Sequence, residues 1–300
     1  MHCVSSHSHV IVSHPHHITS HRNITPPRGC IAPFSELQNS IFLTHASDLV
    51  PRVSENMMYS AAYDISYFHR TRSPQLPCFT RWKDIAIPPF VHAATLRKHF
   101  KTQDSQRTIL ASFSGSIRSR ILAYSGGVRQ TWLRQFVDSK RVLVSNVNPL
   151  PADSTAATKA DYKKNFVTQM LNSVFCLCPP GWATWSPRIF EALMLGCIPV
   201  IIGSPTQFKS MFMPFEDAGV DWTSFALFVS HHDATHGIDS VLSAVPARKV
   251  KRMQAAVSQA WSHFEYLEPL YENHLRGRGG AIHWIVTVLS RRLPSASTSS

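Results

Sequence analysis

No stretch of this sequence approaches the roughly 18 consecutive apolar residues that a membrane-crossing helix needs. The opening MHCVSSHSHVIVSHPHHITSH is punctuated by histidines and has no apolar h-region, so no signal peptide is expected. Charge is scarce at 16%, and acids are scarcer: 18 Asp and Glu face 30 Lys and Arg, a net charge of +12. Low charge with an ordinary 44% hydrophobic content excludes a wholly disordered chain. The basic balance suits nucleic acid, acidic polysaccharide or phosphate ligands. Lys and Arg are scattered, however, and neither zinc-finger spacing nor an aromatic RNA-binding motif is present, so no nucleic-acid partner is expected. The six cysteines, Cys3, Cys30, Cys78, Cys176, Cys178 and Cys197, are too few for a disulfide scaffold. Cys176 and Cys178 alternate along an expected strand and face the same way. Their C-x-C spacing is not that of a zinc knuckle, and they read as two small buried hydrophobes.

What is present divides into four parts. Residues 1–30 hold seven of the 17 histidines among Ser, Thr and Pro, and 1–35 is expected to be disordered. Asn23-Ile24-Thr25 fits a glycosylation sequon, weakened by Pro26. Residues 36–100 read as a partial first lobe: Ile41–Thr44 resembles a short strand, and Pro88-Pro89 closes the element after Asp84-Ile85-Ala86-Ile87. From 101 to 289 strands and helices alternate. Strands are expected at 107–113, 141–144, 174–177, 198–202 and 225–229; helices are expected at 129–137, 158–172, 187–195, 237–244 and 247–263. That alternation, with buried apolar runs, gives an α/β fold with a parallel sheet covered on both faces. Residues 290–300 read as a disordered tail.

One stretch concentrates the chemistry. The strand expected at 174–177 empties into a Pro/Gly loop, Pro179-Pro180-Gly181, and the loop feeds a helix. Ser186 is a good N-cap, and Pro187 suits the first helical position, where a missing N–H costs nothing. The open amides of that helix start, with the positive end of its dipole, are expected to form an anion site. Phe190, Leu193, Met194 and Cys197 repeat at helical spacing and should pack on the sheet. Arg188 and Glu191 lie one turn apart on the other side. Two readings stand: a surface ion pair, or an arginine for a diphosphate beside a glutamate for a ribose diol.

Phe175–Gly181, Ser186-Pro187-Arg188, Glu191-Ala192 and Gly196-Cys197-Ile198-Pro199-Val200 resemble the signature of the exostosin family of glycosyltransferases (family 47). Further blocks follow in the family's order: Asp84–Pro88, Phe113-Ser114-Gly115 with Tyr124–Arg129, and Met213–Asp217 with Trp222, Phe225 and Val229. The resemblance covers residues 40–289. It implies a two-lobed GT-B fold with a Rossmann-like C-terminal nucleotide-sugar lobe and an incomplete N-terminal lobe. It also implies inverting transfer from a UDP-sugar to a glycan or polysaccharide acceptor, and a place at the Golgi membrane. A homo- or hetero-oligomer with related transferases is a possible assembly. By the same resemblance Gly115, Arg129, Gly181, Ser186, Arg188 and Glu191 line the donor site, while the catalytic base is not identified. No D-x-D triplet occurs, so no metal and no cofactor are expected, and positive groups would have to stabilise the departing diphosphate.

The sequence departs from the family pattern. The N-terminal lobe is short, and Gly203-Ser204-Pro205 stands where acidic residues are common, which leaves the donor sugar open. The rivals are a non-catalytic exostosin-like protein that supports an active partner, and a basic nucleic-acid binder. His231-His232-Asp233 reads as a solvated turn rather than a metal site. Trp182 and Trp185 suit stacking on a sugar or base as well as they suit packing.

Overall fold

The structure is a computed structural model. It describes residues 10–13, 17–19, 40–44, 85–89, 91, 106–121, 124–147, 155–181, 186–204, 208, 211–266 and 280–292. By its contacts the chain divides into two units, neither contiguous in sequence: Met1–Pro89 with Lys209–Val220 and Ser262–Ser300, and Phe90–Phe208 with Asp221–Trp261.

The first unit carries a four-stranded sheet. Strands β1 (Val10–Ser13), β2 (His17–Thr19), β3 (Ser40–Thr44) and β4 (Ile85–Ala86) lie in the order β2-β1-β3-β4. β1 pairs antiparallel with β2 and β3, and β3 runs parallel to β4. Strands β1 and β2 lie within residues 1–35, and the β-branched run Val10-Ile11-Val12 suits an extended backbone. The rest of that segment, the sequon included, lies outside the described residues. Helix α6 (Ala281–Arg292) belongs to this unit and carries regular structure past residue 290, into the expected tail. Its Ile285 and Val288 are buried, as are Ile85, Phe215 and Phe264, and Phe215 stacks on Phe264 at 6.0 Å.

The second unit is the Rossmann-like lobe. Five parallel strands, β5 (Ile109–Gly115), β6 (Val142–Asn146), β7 (Ser173–Cys178), β8 (Ile198–Gly203) and β9 (Leu227–Ser230), lie in the order β6-β5-β7-β8-β9. Between them run α1 (Val128–Gln135), α2 (Ala156–Leu171) and α3 (Arg188–Met194), with α4 (His231–Ser243) and α5 (Ala247–Ala260) after β9. All five expected strands are present, with ends displaced by one or two residues. Every residue of β8 is buried, as a strand covered on both faces must be. Registers of Ala111 with Phe175 and Ser112 with Cys176 put Cys176 on the Ser112 side of the sheet. There it shares a core with Val167 and Met170 of α2 and Ala192 and Met194 of α3. On the Phe113 side Trp132 of α1, wholly buried, meets the Phe113 ring at 6.1 Å and donates to the Ala234 carbonyl of α4. Burying each such aromatic side chain contributes about 1.5–3 kcal/mol.

Two local expectations are corrected. Cys176 and Cys197 form a disulfide rather than serving as free hydrophobes, while Cys178 is buried as a thiol. The His231-His232-Asp233 stretch is the first turn of α4 rather than a free turn. Ser230 caps it, accepting from the Asp233 amide and donating to the Asp233 carboxylate. The expected start at 237 marks instead a kink at Gly237 inside that helix.

Candidate functional site

In strand order the lobe reads 2-1-3-4-5, and the connections from β5 and from β7 leave in opposite directions. Open parallel sheets bind ligands beyond the carboxyl ends of the strands at such a reversal, here between β5 and β7. The residues expected at the donor site come from the segments leaving these two strands. β5 ends at Gly115 and leads to α1, which carries Arg129; β7 ends at Cys178 and leads through Gly181 and Ser186 to α3, which carries Arg188 and Glu191.

Arg129 is 5% exposed and pinned. Its Nη1 donates to the Ser116 carbonyl at 2.8 Å and to the Tyr124 hydroxyl at 2.9 Å, and its Nη2 donates to the Pro179 carbonyl at 3.1 Å. The Ser125 amide donates to the Gly181 carbonyl, a second tie between the two loops. Ser125 takes a left-handed backbone (φ 62°), unusual without glycine, and is followed by left-handed Gly126 and Gly127. A Cβ on Gly181 would touch Arg129 Nη2 and the Tyr124 hydroxyl, each at 3.4 Å. Arg129 is therefore a brace that fixes the loops after β5 and β7 to one another.

Arg188 is half-buried. Its Nη2 donates to the Ser114 carbonyl at 2.6 Å, and its Nε is buried without a hydrogen-bond partner among the described residues. Both guanidiniums lie against one ring: the Cζ of Arg188 is 4.7 Å and that of Arg129 5.0 Å from the Phe113 centroid. Glu191 is half-buried one turn further along α3. The buried Cys178 thiol feels all three charges. Burial pushes its pKa up to about 12; Arg188 and Arg129 pull it down, and Glu191 adds to the rise.

The start of α3 differs from its expectation. Ser186 does cap, its Oγ accepting from the Arg188 amide at 3.3 Å, and Pro187 has helical dihedrals. The amides of Ile189, Phe190 and Glu191 then bond to the carbonyls of Ser186 and Pro187. These amides are taken within the helix, so the expected anion site of open amides is corrected. Positive charge at the switch point comes from side chains. The helix is also buried more widely than expected: Ile189 and Ala192 join Phe190, Leu193 and Met194, leaving Arg188 and Glu191 as its two partly exposed residues. It stops in a Schellman motif, where Gly196 (φ 68°) donates to Leu193 and Cys197 to Ala192.

The structure thus brings Gly115, Arg129, Gly181 and Arg188 together, with Ser186 as a cap and Glu191 one turn on. Sequence reading missed Phe113 and Tyr124 as site-forming residues, although both sit inside the blocks it singled out. Trp182 and Trp185 lie outside the described residues. Among the described residues no group of three or more His, Cys, Asp or Glu is placed to hold a metal ion.

A Rossmann-like lobe of the GT-B type, with paired arginines at its switch point, is the class that this fold and site define. The exostosin GT47 domain matches residues 41–245, and the chain belongs to that family. The probable glucuronosyltransferase GUT1 of Oryza sativa subsp. japonica is 31% identical over 210 residues, covering 70% of this chain and 46% of that protein. The probable beta-1,4-xylosyltransferase IRX10 of Arabidopsis thaliana is 32% identical over 210 residues, with the same coverage of 70% and 46%. The chain spans about half the length of the curated relatives it matches.

Proposed function

We propose that the chain is a glycosyltransferase that moves a sugar, with inversion, from a UDP-sugar to a glycan or polysaccharide acceptor, working without a metal. The observation that carries this reading is the convergence of Arg188 and Arg129 on the Phe113 ring at the switch point. Arg188, half-buried at the sheet reversal with one carbonyl partner and an Nε that makes no hydrogen bond among the described residues, suits an anion, and a diphosphate supplies one. Family membership and relatives named for glucuronosyl and xylosyl transfer support the sugar half.

In this reading the residues divide the work. Arg188 holds the diphosphate and stabilises the charge that grows on it as the glycosidic bond breaks. Glu191 accepts from the ribose hydroxyls, as acidic residues do in dinucleotide folds. Arg129 keeps the two loops in register, Gly181 packs closely on Arg129 and Tyr124 beside the donor, and Ser186 sets the start of α3. The chain works at the Golgi membrane, by kinship, alone or in an oligomer with related transferases. The buried Cys176–Cys197 disulfide agrees with an oxidising compartment. No helix among the described residues is long and apolar enough to cross a membrane.

Calorimetric titration of UDP, with and without EDTA, tests the reading. Binding unchanged by the chelator is expected; binding abolished by it contradicts the metal-free site. Release of UDP from a UDP-sugar then separates a transferase from a protein that only holds its donor.

A further inference from the structure

Beyond the donor site itself, and resting on that reading, we infer that Phe113, Ser114 and Gly115 at the tip of β5 form a cradle for Arg188, with Gly115 a positioning residue whose missing side chain makes room for the guanidinium. Three observations carry this. The Ser114 carbonyl accepts from Arg188 Nη2 at 2.6 Å, which fixes one edge of the guanidinium. The Phe113 ring, 1% exposed and held by Trp132 at 6.1 Å, lies 4.7 Å from the Arg188 Cζ and supports its face. A Cβ built on Gly115 would fall 2.6 Å from Arg188 Nη2, inside any real contact, and 3.1 Å from the Phe113 ring.

Gly115 needs no glycine for its backbone. It ends strand β5 and is absent from the left-handed residues, where Gly126 and Gly196 are found. The local demand for glycine here is space, and Arg188 fills that space. Alternation along β5 puts Phe113 and Gly115 on the same side, so ring and gap stand together under the guanidinium. An arginine on a free stem samples many rotamers; carbonyl, ring and gap leave it one, which lowers the ordering cost when an anion binds.

Because the nearest atom is the end of a flexible side chain, Gly115→Ala should displace Arg188 while leaving the fold intact. The test is calorimetric titration of UDP into the full chain as wild type, Gly115→Ala, Arg188→Ala and the double variant, with thermal midpoints alongside. Gly115→Ala is expected to weaken UDP about tenfold, and to add less than about twofold in the Arg188→Ala background. Phe113→Leu removes the ring without a clash; because the ring also faces Arg129, its loss should be reduced rather than abolished in the Arg188→Ala background, which covers the case of a poorly folding Gly115→Ala. Equal losses from Gly115→Ala in both backgrounds would mean that Gly115 meets the ligand itself, and would overturn the cradle. Unchanged affinity in Gly115→Ala overturns it too. Unchanged affinity in Arg188→Ala has a different signature: it removes the donor-site reading, and the cradle with it.

Discussion

Three arginines of the second unit are set against the ends of the sheet, and they differ in how many partners hold them. Arg107 donates to the carbonyls of Met170 and Ser173 through Nη1 and of Leu195 through Nη2, at 2.7–3.0 Å. These carbonyls close α2, open β7 and follow α3, so one cation satisfies acceptors that helix ends leave open. Burial lowers its pKa, the cost of that position. Arg107→Met keeps the stem and loses the bonds; it should cost about 2–3 kcal/mol of stability in urea unfolding and leave UDP affinity unchanged. A silent substitution would contradict the role. Arg188 is the reverse case, half-buried with one carbonyl partner. Its place after a Pro/Gly loop at a strand end was legible in the sequence. The duties of Arg107 and Arg129 were not, because their carbonyl partners lie up to 88 residues away and leave no local pattern.

At the scale of elements, α3 is short and depends on both of its ends. Ser186 and Pro187 start it, the Gly196 turn stops it, and Cys197 then bonds to Cys176 of β7 across 21 residues of sequence. The loop so closed contains the whole segment from Pro179 to Gly196. Replacing both cysteines by alanine should lower unfolding free energy by about 3 kcal/mol, from the freed loop entropy of the unfolded chain. Urea unfolding of the double variant checks this, and an unchanged midpoint contradicts it. The existence of each strand and helix in this lobe could be read from periodicity and turn residues. The pairing of Cys176 with Cys197 could not: it needs β7 beside β8, a fact of strand order. The burial of Ile189 and Ala192 escaped for a like reason, since a helix packed on the sheet and also on α2 and α5 has more than one apolar face.

For the whole molecule, α/β alternation gave the parallel sheet, and the order β6-β5-β7-β8-β9 puts its switch point between β5 and β7. Domain limits were harder. The chain passes between the two units after Pro89, Phe208, Val220 and Trp261. No composition shift marks these crossings, because Met213, Phe215 and Phe264 are as apolar as the core residues of the other unit. On the function proposed above, this chain holds a nucleoside diphosphate at the β5–β7 switch point. Titration of UDP and of pyrophosphate into Arg188→Ala and Glu191→Ala tests it most directly. Arg188→Ala should weaken both ligands by about 1.5–3 kcal/mol, the loss of a charge-assisted bond. Glu191→Ala should weaken UDP and spare pyrophosphate, which has no ribose. Unchanged UDP affinity in both variants contradicts the claim.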